Sequence, residues 1–432
     1  MNGTTQKGIN EKIKECRRLV SSEKVIACLE ELLKTTNDGM VSYVLGQEYE
    51  KLGNDEIAIQ HYEKAESLFT LPEFKNMARS PINRLKVKSI LDDRKLGLSP
   101  DSVEVLWTVP SFGTNDSFSQ VSDIDVDLHQ SLIYVTDSGN NRVLAFDFDG
   151  KLLDILGKKG QGPGEFLNPT GLFALDDSRL AVADFNNNRI QIFDRSGNLW
   201  LSTKTKDTRV ADLIILEDKI YTISAFGTSG YKLDLSSDKE TQPLLTVLDI
   251  QGNKIHSVMG IDFPDPHPFL RAIKNKVCLA VSREKKIYLS YFAANLIQVF
   301  DDSGKKIDEF QRPLPFDPML PKLSMQEKDS KGEVLIGANF DYVTQDSSIC
   351  PDNNLYLLTY SQSNVKRHKE KKKKNPPHPM RIDVIEPITH NILRYIYCDP
   401  GTKAFSVMDE DRVAYIYEDE KGKKTLKCIK AL

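Results

Sequence analysis

Residues 133–150 read IYVTDSGNNRVLAFDFDG, and residues 180–197 repeat the pattern as LAVADFNNNRIQIFDRSG. In each copy an apolar run ends at an aspartate, an Asn-Asn-Arg turn follows, and a second apolar run leads to Phe-Asp and a closing glycine. β-branched and aromatic runs joined by tight Asp/Asn/Gly turns are typical of antiparallel hairpins. One hairpin cannot bury its apolar face alone, so the repetition predicts an all-β repeat architecture.

The pattern recurs further along the chain. Residues 287–304 keep the apolar runs and the closing Phe-Asp-x-x-Gly, but they lack the aspartate and the arginine. Fainter copies begin at Ile220, Leu355 and Val413, which gives about six units, an ordinary number for a β-propeller. The last unit stops after its second hairpin strand, so we predict that strand 103–109 completes it and closes the ring.

Several motifs of this stretch resemble NHL repeats. The resemblance rests on Pro169-x-Gly171, Val-x-Asp, Asn-x-Arg and Phe-Asp-x-x-Gly, and residues 157–166, GKKGQGPGEF, resemble the loop between NHL blades. It is strong over residues 121–200 and extends as a pattern to the end of the chain. It implies a six-bladed propeller, a fold that in some relatives carries a central catalytic metal and in some animal regulators binds single-stranded RNA.

The first hundred residues differ, because their apolar residues are spaced three and four apart as in amphipathic helices. Leu45-Gly46-x-x-Tyr49, followed by Ala58, Tyr62 and Ala65, resembles a tetratricopeptide repeat, in which small residues let two helices approach closely. The predicted class is therefore a multidomain α plus all-β protein, with a helical domain over residues 1–95, a linker over 96–102 and the propeller over 103–432. The groove of a helical stack usually holds a peptide or helix of a partner, and its candidate residues are Tyr43, Gln47, Glu50 and Lys51.

Composition places the chain among ordinary globular proteins: it has 432 residues, a net charge of −4 and 40% hydrophobic residues. The N-terminal residues form no apolar segment and no stretch approaches a membrane span, so we expect a cytoplasmic protein without a membrane partner. Its six cysteines are spread singly, without the Cys-x-x-Cys spacing of zinc or redox sites, and we expect them to be reduced.

Catalytic motifs are not evident in the sequence. The seven histidines do not recur at one position of the repeat, and neither a Gly-x-Ser-x-Gly elbow nor a phosphate-binding Gly-x-x-x-x-Gly-Lys-Ser/Thr loop is present. We therefore predict that the protein is not an enzyme and uses no metal or cofactor. A propeller hydrolase or lyase remains a weaker alternative.

One face of the predicted disc is the candidate binding face. In a four-stranded blade, the connection between the middle strands and the connection to the next blade emerge on the same side, and the long segments 225–243, 311–339 and 361–380 are such connections. Repeat proteins tend to concentrate insertions on their binding face. The candidate residues are Asn140, Arg142, Lys158, Lys159, Asn187 and Arg189, together with a basic loop formed by Lys366, Arg367, Lys369, Lys371, Lys372, Lys373 and Lys374.

Both groups of candidates also have a purely structural interpretation. Asp and Asn side chains can bind the backbone of their own turns and Arg can bridge neighbouring loops, while a run of lysines can be a solvated loop. The sequence thus favours a non-enzymatic protein-interaction scaffold, such as an accessory subunit of a bacterial stress, signalling or defence assembly. The alternative is an RNA- or DNA-binding regulator that uses the basic loop over residues 366–374.

Overall fold

A computed structural model provides the structure of the chain. It describes all residues except 1–5, 20, 72–73, 76, 79–80, 83–84, 86–102, 112–115, 176, 206–208, 225–244, 259–264, 266, 313, 315, 317, 329–333, 350–352, 362–378 and 432. The chain divides into two compact units, Met1–Gly97 with Gln311–Asp317, and Leu98–Phe310 with Pro318–Leu432. The predicted linker 96–102 lies outside the described residues, so the proposed domain boundaries remain predictions.

Four short helices of the first unit are described along their whole length: α1 (Gln6–Arg17), α2 (Ser22–Thr36), α3 (Gly39–Lys51) and α4 (Asp55–Leu68). Ser21 caps α2, and the carboxylate of Asp38 caps α3 by accepting hydrogen bonds from the amides of Met40 and Val41. Such caps satisfy amides that have no partner within the helix. Residues 73–95, which the sequence also predicted to be helical, lie largely outside the description.

The small residue at position 46 has the role that the sequence predicted. A Cβ atom at Gly46 would lie 2.7 Å from the ring of Tyr62, so α3 and α4 approach each other only because this position is a glycine. Ala58, Ala65 and Tyr62 are buried on the facing side of α4. The close helix pair is present, whereas its membership of the tetratricopeptide family remains a prediction.

The second unit is a six-bladed β-propeller, as predicted. Its strands, together with an inserted hairpin (β18 and β19), are β1 (Val103–Val109), β2 (Val121–Asp127), β3 (Leu132–Asp137), β4 (Arg142–Asp147), β5 (Leu152–Leu156), β6 (Pro169–Ala174), β7 (Leu180–Asp184), β8 (Arg189–Phe193), β9 (Leu199–Lys204), β10 (Val210–Leu216), β11 (Lys219–Ser224), β12 (Leu245–Asp249), β13 (Lys254–Val258), β14 (Val277–Val281), β15 (Ile287–Tyr291), β16 (Ile297–Phe300), β17 (Lys306–Phe310), β18 (Lys322–Lys328), β19 (Val334–Asn339), β20 (Asp346–Ile349), β21 (Leu355–Tyr360), β22 (Met380–Ile385), β23 (Ile392–Cys398), β24 (Thr402–Val407), β25 (Arg412–Glu418) and β26 (Lys424–Ala431).

Six antiparallel sheets of four strands are the blades. Blades 1 to 5 are β2–β5, β6–β9, β10–β13, β14–β17 and β20–β23, and blade 6 has the order β1-β26-β25-β24. The strand that precedes the first blade therefore completes the last one, with Val105 opposite Ile429 and Val109 opposite Leu426. This confirms the predicted ring closure, which joins the two ends of the domain by backbone hydrogen bonds.

Each outer strand carries a β-bulge at the same place. The pairing of the outer strand with its neighbour skips one residue, and in all six blades that residue is apolar and exposed: Leu106, Leu153, Trp200, Ile255, Ile307 and Leu393. A bulge twists an edge strand and interrupts its regular hydrogen-bonding row, which hinders pairing with another sheet. These side chains are therefore spaced singly around the rim.

Two elements between the blades were not predicted. Helix α5 (Pro268–Lys274) precedes blade 4, and the β18–β19 hairpin lies in the 311–339 segment between blades 4 and 5. The other two predicted insertions, 225–243 and 361–380, lie almost entirely outside the described residues. Within the described part of the chain, no helix has the length and apolar character needed to cross a membrane.

The prediction of reduced cysteines is wrong for one pair. Cys16 of α1 and Cys28 of α2 form a disulfide, with their Cα atoms 5.6 Å apart. No sequence motif indicates this pairing, because two cysteines twelve positions apart meet only when α1 and α2 pack side by side. Cys278, Cys398 and Cys428 are free thiols.

Candidate functional site

The repeated Asp, Asn and Arg residues build two nearly identical networks at the turns between the middle strands. In blade 1, Arg142 donates from Nε to Asp137 at 3.1 Å and from both terminal nitrogens to Asp116 at 2.7 Å. Asn140 donates to the same Asp137, whose other oxygen accepts from the amide of Ser119. The Arg142 hydrogen bonds hold the pKa of Asp116 below its usual value.

Blade 2 uses the equivalent residues to hold the loop that enters it. Arg189 donates to Asp184 at 2.7 Å and to the carbonyl oxygens of Gln161, Gly162 and Glu165. Asn187 joins Asp184 to the carbonyl of Gly160. Only 11% of the Arg189 side chain and 13% of the Arg142 side chain are exposed.

Hydrogen bonds within the propeller limit what these candidate residues can offer to a ligand. Asn140, Arg142, Asn187 and Arg189 all donate within the propeller, an arrangement that matches the structural interpretation of the repeat. Lys158 and Lys159 on the same loop are exposed, and Lys158 lies 3.5 Å from Glu165. The candidates Lys366, Arg367, Lys369, Lys371, Lys372, Lys373 and Lys374 lie outside the described residues.

A ring of carboxyl groups around the propeller axis was missed by the sequence analysis. Asp123, Asp212 and Asp346 lie on the innermost strands of blades 1, 3 and 5, each opposite the fourth residue of the apolar run that starts the repeat. At the corresponding position, blades 4 and 6 have the small residues Cys278 and Ala404. We call Asp123, Asp212 and Asp346 the axial ring.

Two members of the axial ring, Asp123 and Asp346, and the nearby Asp125 join neighbouring blades. Asp123 accepts a hydrogen bond from the amide of Leu172 in blade 2 at 2.8 Å, and Asp346 accepts one from the amide of Phe405 in blade 6 at 2.9 Å. Asp125, one pleat further along β2, accepts from the amide of Ala174 at 2.9 Å. Because a central strand edge has unpaired amides, these carboxyl groups satisfy donors that would otherwise lack a partner.

Burial and mutual repulsion make these carboxyl groups weak acids. Desolvation is the main cause that raises the pKa of Asp212 and of Asp346 to about 7 and that of Asp125 to about 6. The pKa of Asp123 is also raised, first by burial and then by the charges of Asp212 and Asp346. Among the described residues, no group of three or more His, Cys, Asp or Glu side chains is arranged to hold a metal ion.

The helical unit contains an open cleft of about 400 Å³, lined by Arg17, Leu19, Ser21, Ser22, Val25, Glu48 and Lys51. Glu48 forms its floor, with only 4% of the side chain exposed, and Lys51 binds it at 2.7 Å while Arg17 lies 3.8 Å away. Two cationic side chains thus accompany one buried carboxylate. The N-terminus of α2, which carries a partial positive charge, opens into the same cleft.

The predicted groove residues lie on α3 but only one of them lines the cleft. Lys51 is at its rim, with 61% of its side chain exposed. Tyr43 packs against the Tyr62 ring, Gln47 accepts a hydrogen bond from Arg17, and Glu50 accepts one from the hydroxyl of Tyr62. Spacing alone did not reveal the cleft, because most of its lining comes from the end of α1, the start of α2 and the turn between them.

Comparison with known proteins identifies the family. Residues 101–333 match the model of the DUF5128 family, described as a 6-bladed beta-propeller. The match covers more than half of the chain, which therefore belongs to this family of six-bladed propellers.

Sequence relatives match shorter regions. The human NHL repeat-containing protein 3 is 32% identical over 106 residues, which are 23% of this chain and 30% of that protein. Protein lin-41 of Caenorhabditis elegans is 50% identical over 42 residues, 10% of this chain and 4% of that protein. The chain thus spans less than a third of the curated relatives it matches.

Among solved structures, a gluconolactonase from Xanthomonas campestris is similar over 76% of this chain and 88% of its own, at 14% identity and a TM-score of 0.46. A streptogramin B lyase is similar over 76% of this chain and 96% of its own, at 10% identity and a TM-score of 0.42.

Proposed function

We propose that the protein is a non-enzymatic scaffold that holds partner proteins through its helical unit and its propeller. The open cleft beside α3 is the observation that carries this proposal. It is a preformed polar recess, it belongs to a helical unit with its own core, and its exposed rim is available to a partner. Sites with a few convergent polar groups in a concave surface are typical of binding surfaces.

The charges of the cleft indicate the chemistry of the partner segment. Arg17 and Lys51 contribute two positive charges against the single negative charge of Glu48, and the N-terminus of α2 adds a partial positive charge. A segment with an acidic side chain complements this balance better than a basic one. The partner is therefore proposed to be a protein that inserts an acidic segment into the cleft.

Affinity purification of the tagged full-length protein from its native host, with and without nuclease, tests the scaffold. We expect a nuclease-resistant set of stoichiometric proteins by mass spectrometry. Retained material that disappears with nuclease would instead support the nucleic-acid alternative, in which replacing the lysines of residues 366–374 by serine should remove a salt-dependent interaction.

A matched pair of variants locates the binding surface. Lys51→Gln removes one charge from the cleft rim, and the retained partner should fall several-fold because one complementary charge contact is lost. Lys34→Gln removes a similarly exposed lysine from α2 that pairs with Glu31 and does not line the cleft. Equal retention by both variants and the unmodified protein would contradict binding at the cleft.

A further inference from the structure

The Cys16–Cys28 disulfide links the two ends of the segment that supplies most of the residues lining the cleft. Cys16 and Cys28 are twelve positions apart, and Arg17, Leu19, Ser21, Ser22 and Val25 all lie between them. Only Glu48 and Lys51 come from elsewhere, both from α3. The shape of the cleft thus depends on how the turn between α1 and α2 is held.

Arg17 connects this turn to α3. It follows Cys16 directly, donates a hydrogen bond to Gln47 and lies 3.8 Å from the buried carboxylate of Glu48. Cys16 itself is 3% exposed and belongs to the core of the helical unit. Fixing Cys16 therefore fixes the residue that supplies one of the two cationic groups of the cleft.

Without the Cys16–Cys28 disulfide, few buried side chains attach α1 to the rest of the helical unit. It has twelve residues, and besides Cys16 its buried apolar side chains are Ile9 and Ile13. Isolated helices of this length are marginal in water, so packing has to stabilise α1. Closing a loop of about 13 residues by a disulfide shifts the opening equilibrium of that loop on the order of 100-fold.

We propose that the Cys16–Cys28 disulfide is a redox switch that keeps the cleft in its partner-binding form. This inference rests on the proposed scaffold function and adds its regulation. It also suits the cytoplasmic location proposed from the sequence, because disulfides in a reducing compartment are usually transient and redox-sensing.

The switch opens by thiol–disulfide exchange with a dithiol reductant. One thiolate of the reductant attacks Sγ of Cys28, which is half-buried, and displaces the Cys16 thiolate. The second thiol of the reductant then releases Cys28 and closes the reductant's own disulfide. Two electrons and two protons pass from the dithiol to the protein, so both cysteines end as thiols. Helix α1 is then held only by packing and by the contacts of Arg17 with Gln47 and Glu48.

Hydrogen exchange of the full-length protein with and without dithiothreitol tests the switch without any partner. We expect amides of residues 9–28 to exchange 10- to 100-fold faster after reduction, and those of the propeller strand β7 to be unchanged. The Cys16→Ser/Cys28→Ser variant should exchange like the reduced protein without dithiothreitol, whereas Cys278→Ser should behave like the unmodified protein. Equal exchange of residues 9–28 in the oxidised and reduced forms would overturn the proposal.

Repeating the partner purification with dithiothreitol separates the two proposals. Partner retained by the oxidised protein and released several-fold on reduction supports both. Partner retained equally in both states leaves the scaffold in place and refutes the switch. If neither state retains a partner the scaffold proposal fails, and hydrogen exchange still decides whether the disulfide controls the shape of the cleft.

Discussion

The axial ring makes the stability of the propeller depend on pH in a direction opposite to that of most carboxylates. Asp212 accepts a hydrogen bond from the amide of Leu213, and desolvation raises its pKa to about 7 from an ordinary value of 3.8. A folded-state pKa above the unfolded value means that the folded protein holds the proton more tightly. The stabilisation is complete below about pH 4 and is lost as the pH rises through about 7.

Asp212→Asn should therefore stabilise the protein at neutral and alkaline pH. The amide has nearly the same shape, keeps an oxygen for the Leu213 amide and cannot ionise. The full pKa difference corresponds to about 4 kcal/mol, and because Asp212 is partly exposed to solvent we expect a gain of about 1–3 kcal/mol at pH 8. The gain should become small near pH 4 and reach zero below about pH 3, where Asp212 is protonated in both the folded and the unfolded state.

Urea unfolding of the propeller between pH 4 and 8.5 measures this effect, with the free energy of unfolding followed by far-ultraviolet circular dichroism. Asp194→Asn is the matched control. Asp194 is partly exposed in a turn, and its pKa is lowered mainly by a hydrogen bond from the Asn198 amide, so its replacement should destabilise the protein above pH 4. An Asp212→Asn protein that is no more stable than the unmodified protein at pH 8, or a gain that does not change with pH, would refute the reasoning.

Three further predictions concern interactions within the helical unit or within the propeller. Asp184→Ala should cost about 3–5 kcal/mol in urea unfolding, because this fully buried carboxylate pairs with Arg189 and accepts from the Leu167 amide; a loss below 1 kcal/mol would contradict it. Gly46→Ala should cost the helical unit about 1–3 kcal/mol by overpacking against Tyr62, as measured by thermal unfolding against Lys24→Ala on the exposed face of α2. A propeller fragment beginning at residue 101 should fold, whereas one beginning at residue 111 should unfold at a lower temperature because it lacks β1, the strand that closes blade 6; equal melting temperatures would show that closure by β1 contributes nothing.

The propeller was predictable because the sequence patterns that specify it are short and recur along the chain. The apolar runs, the Asp/Asn turns and the closing glycines specify hairpins, and six hairpins in series leave few alternatives to a ring. The apolar strand predicted at residues 103–109, ahead of the first unit, was expected to close the ring, and β1 pairs with β26 as expected. The close approach of α3 and α4 at Gly46 was likewise predictable from one small residue at the right spacing.

The axial ring and the cleft were not predictable from the same patterns. Asp123, Asp212 and Asp346 lie far apart in the sequence, within inner strands whose copies vary, and only closure of the ring brings their charges within reach of one another. The one available signal is an aspartate within the strand at the start of alternate units, as in Ser122-Asp123-Ile124 and Ala211-Asp212-Leu213. The disulfide and the cleft depend on how α1 packs against α2 and α3. None of these three helices carries a sequence motif that predicts this packing.

In this protein, the polar residues that recur in the propeller repeats are not the residues that are available to bind a partner. Arg142 and Arg189 recur because blades 1 and 2 each use an arginine to hold the loop that enters the blade, and the donors of both side chains are engaged in those hydrogen bonds. Lys51 and Arg17 belong to no repeat of the propeller, and Lys51 has most of its side chain exposed. A polar residue that a repeat uses for its own folding has few hydrogen-bond donors free for a partner. The binding residues of such a chain are therefore better sought outside the repeated positions. The comparison of Lys51→Gln with Lys34→Gln examines this directly, since both lysines lie outside the repeat and only one lines a preformed cleft.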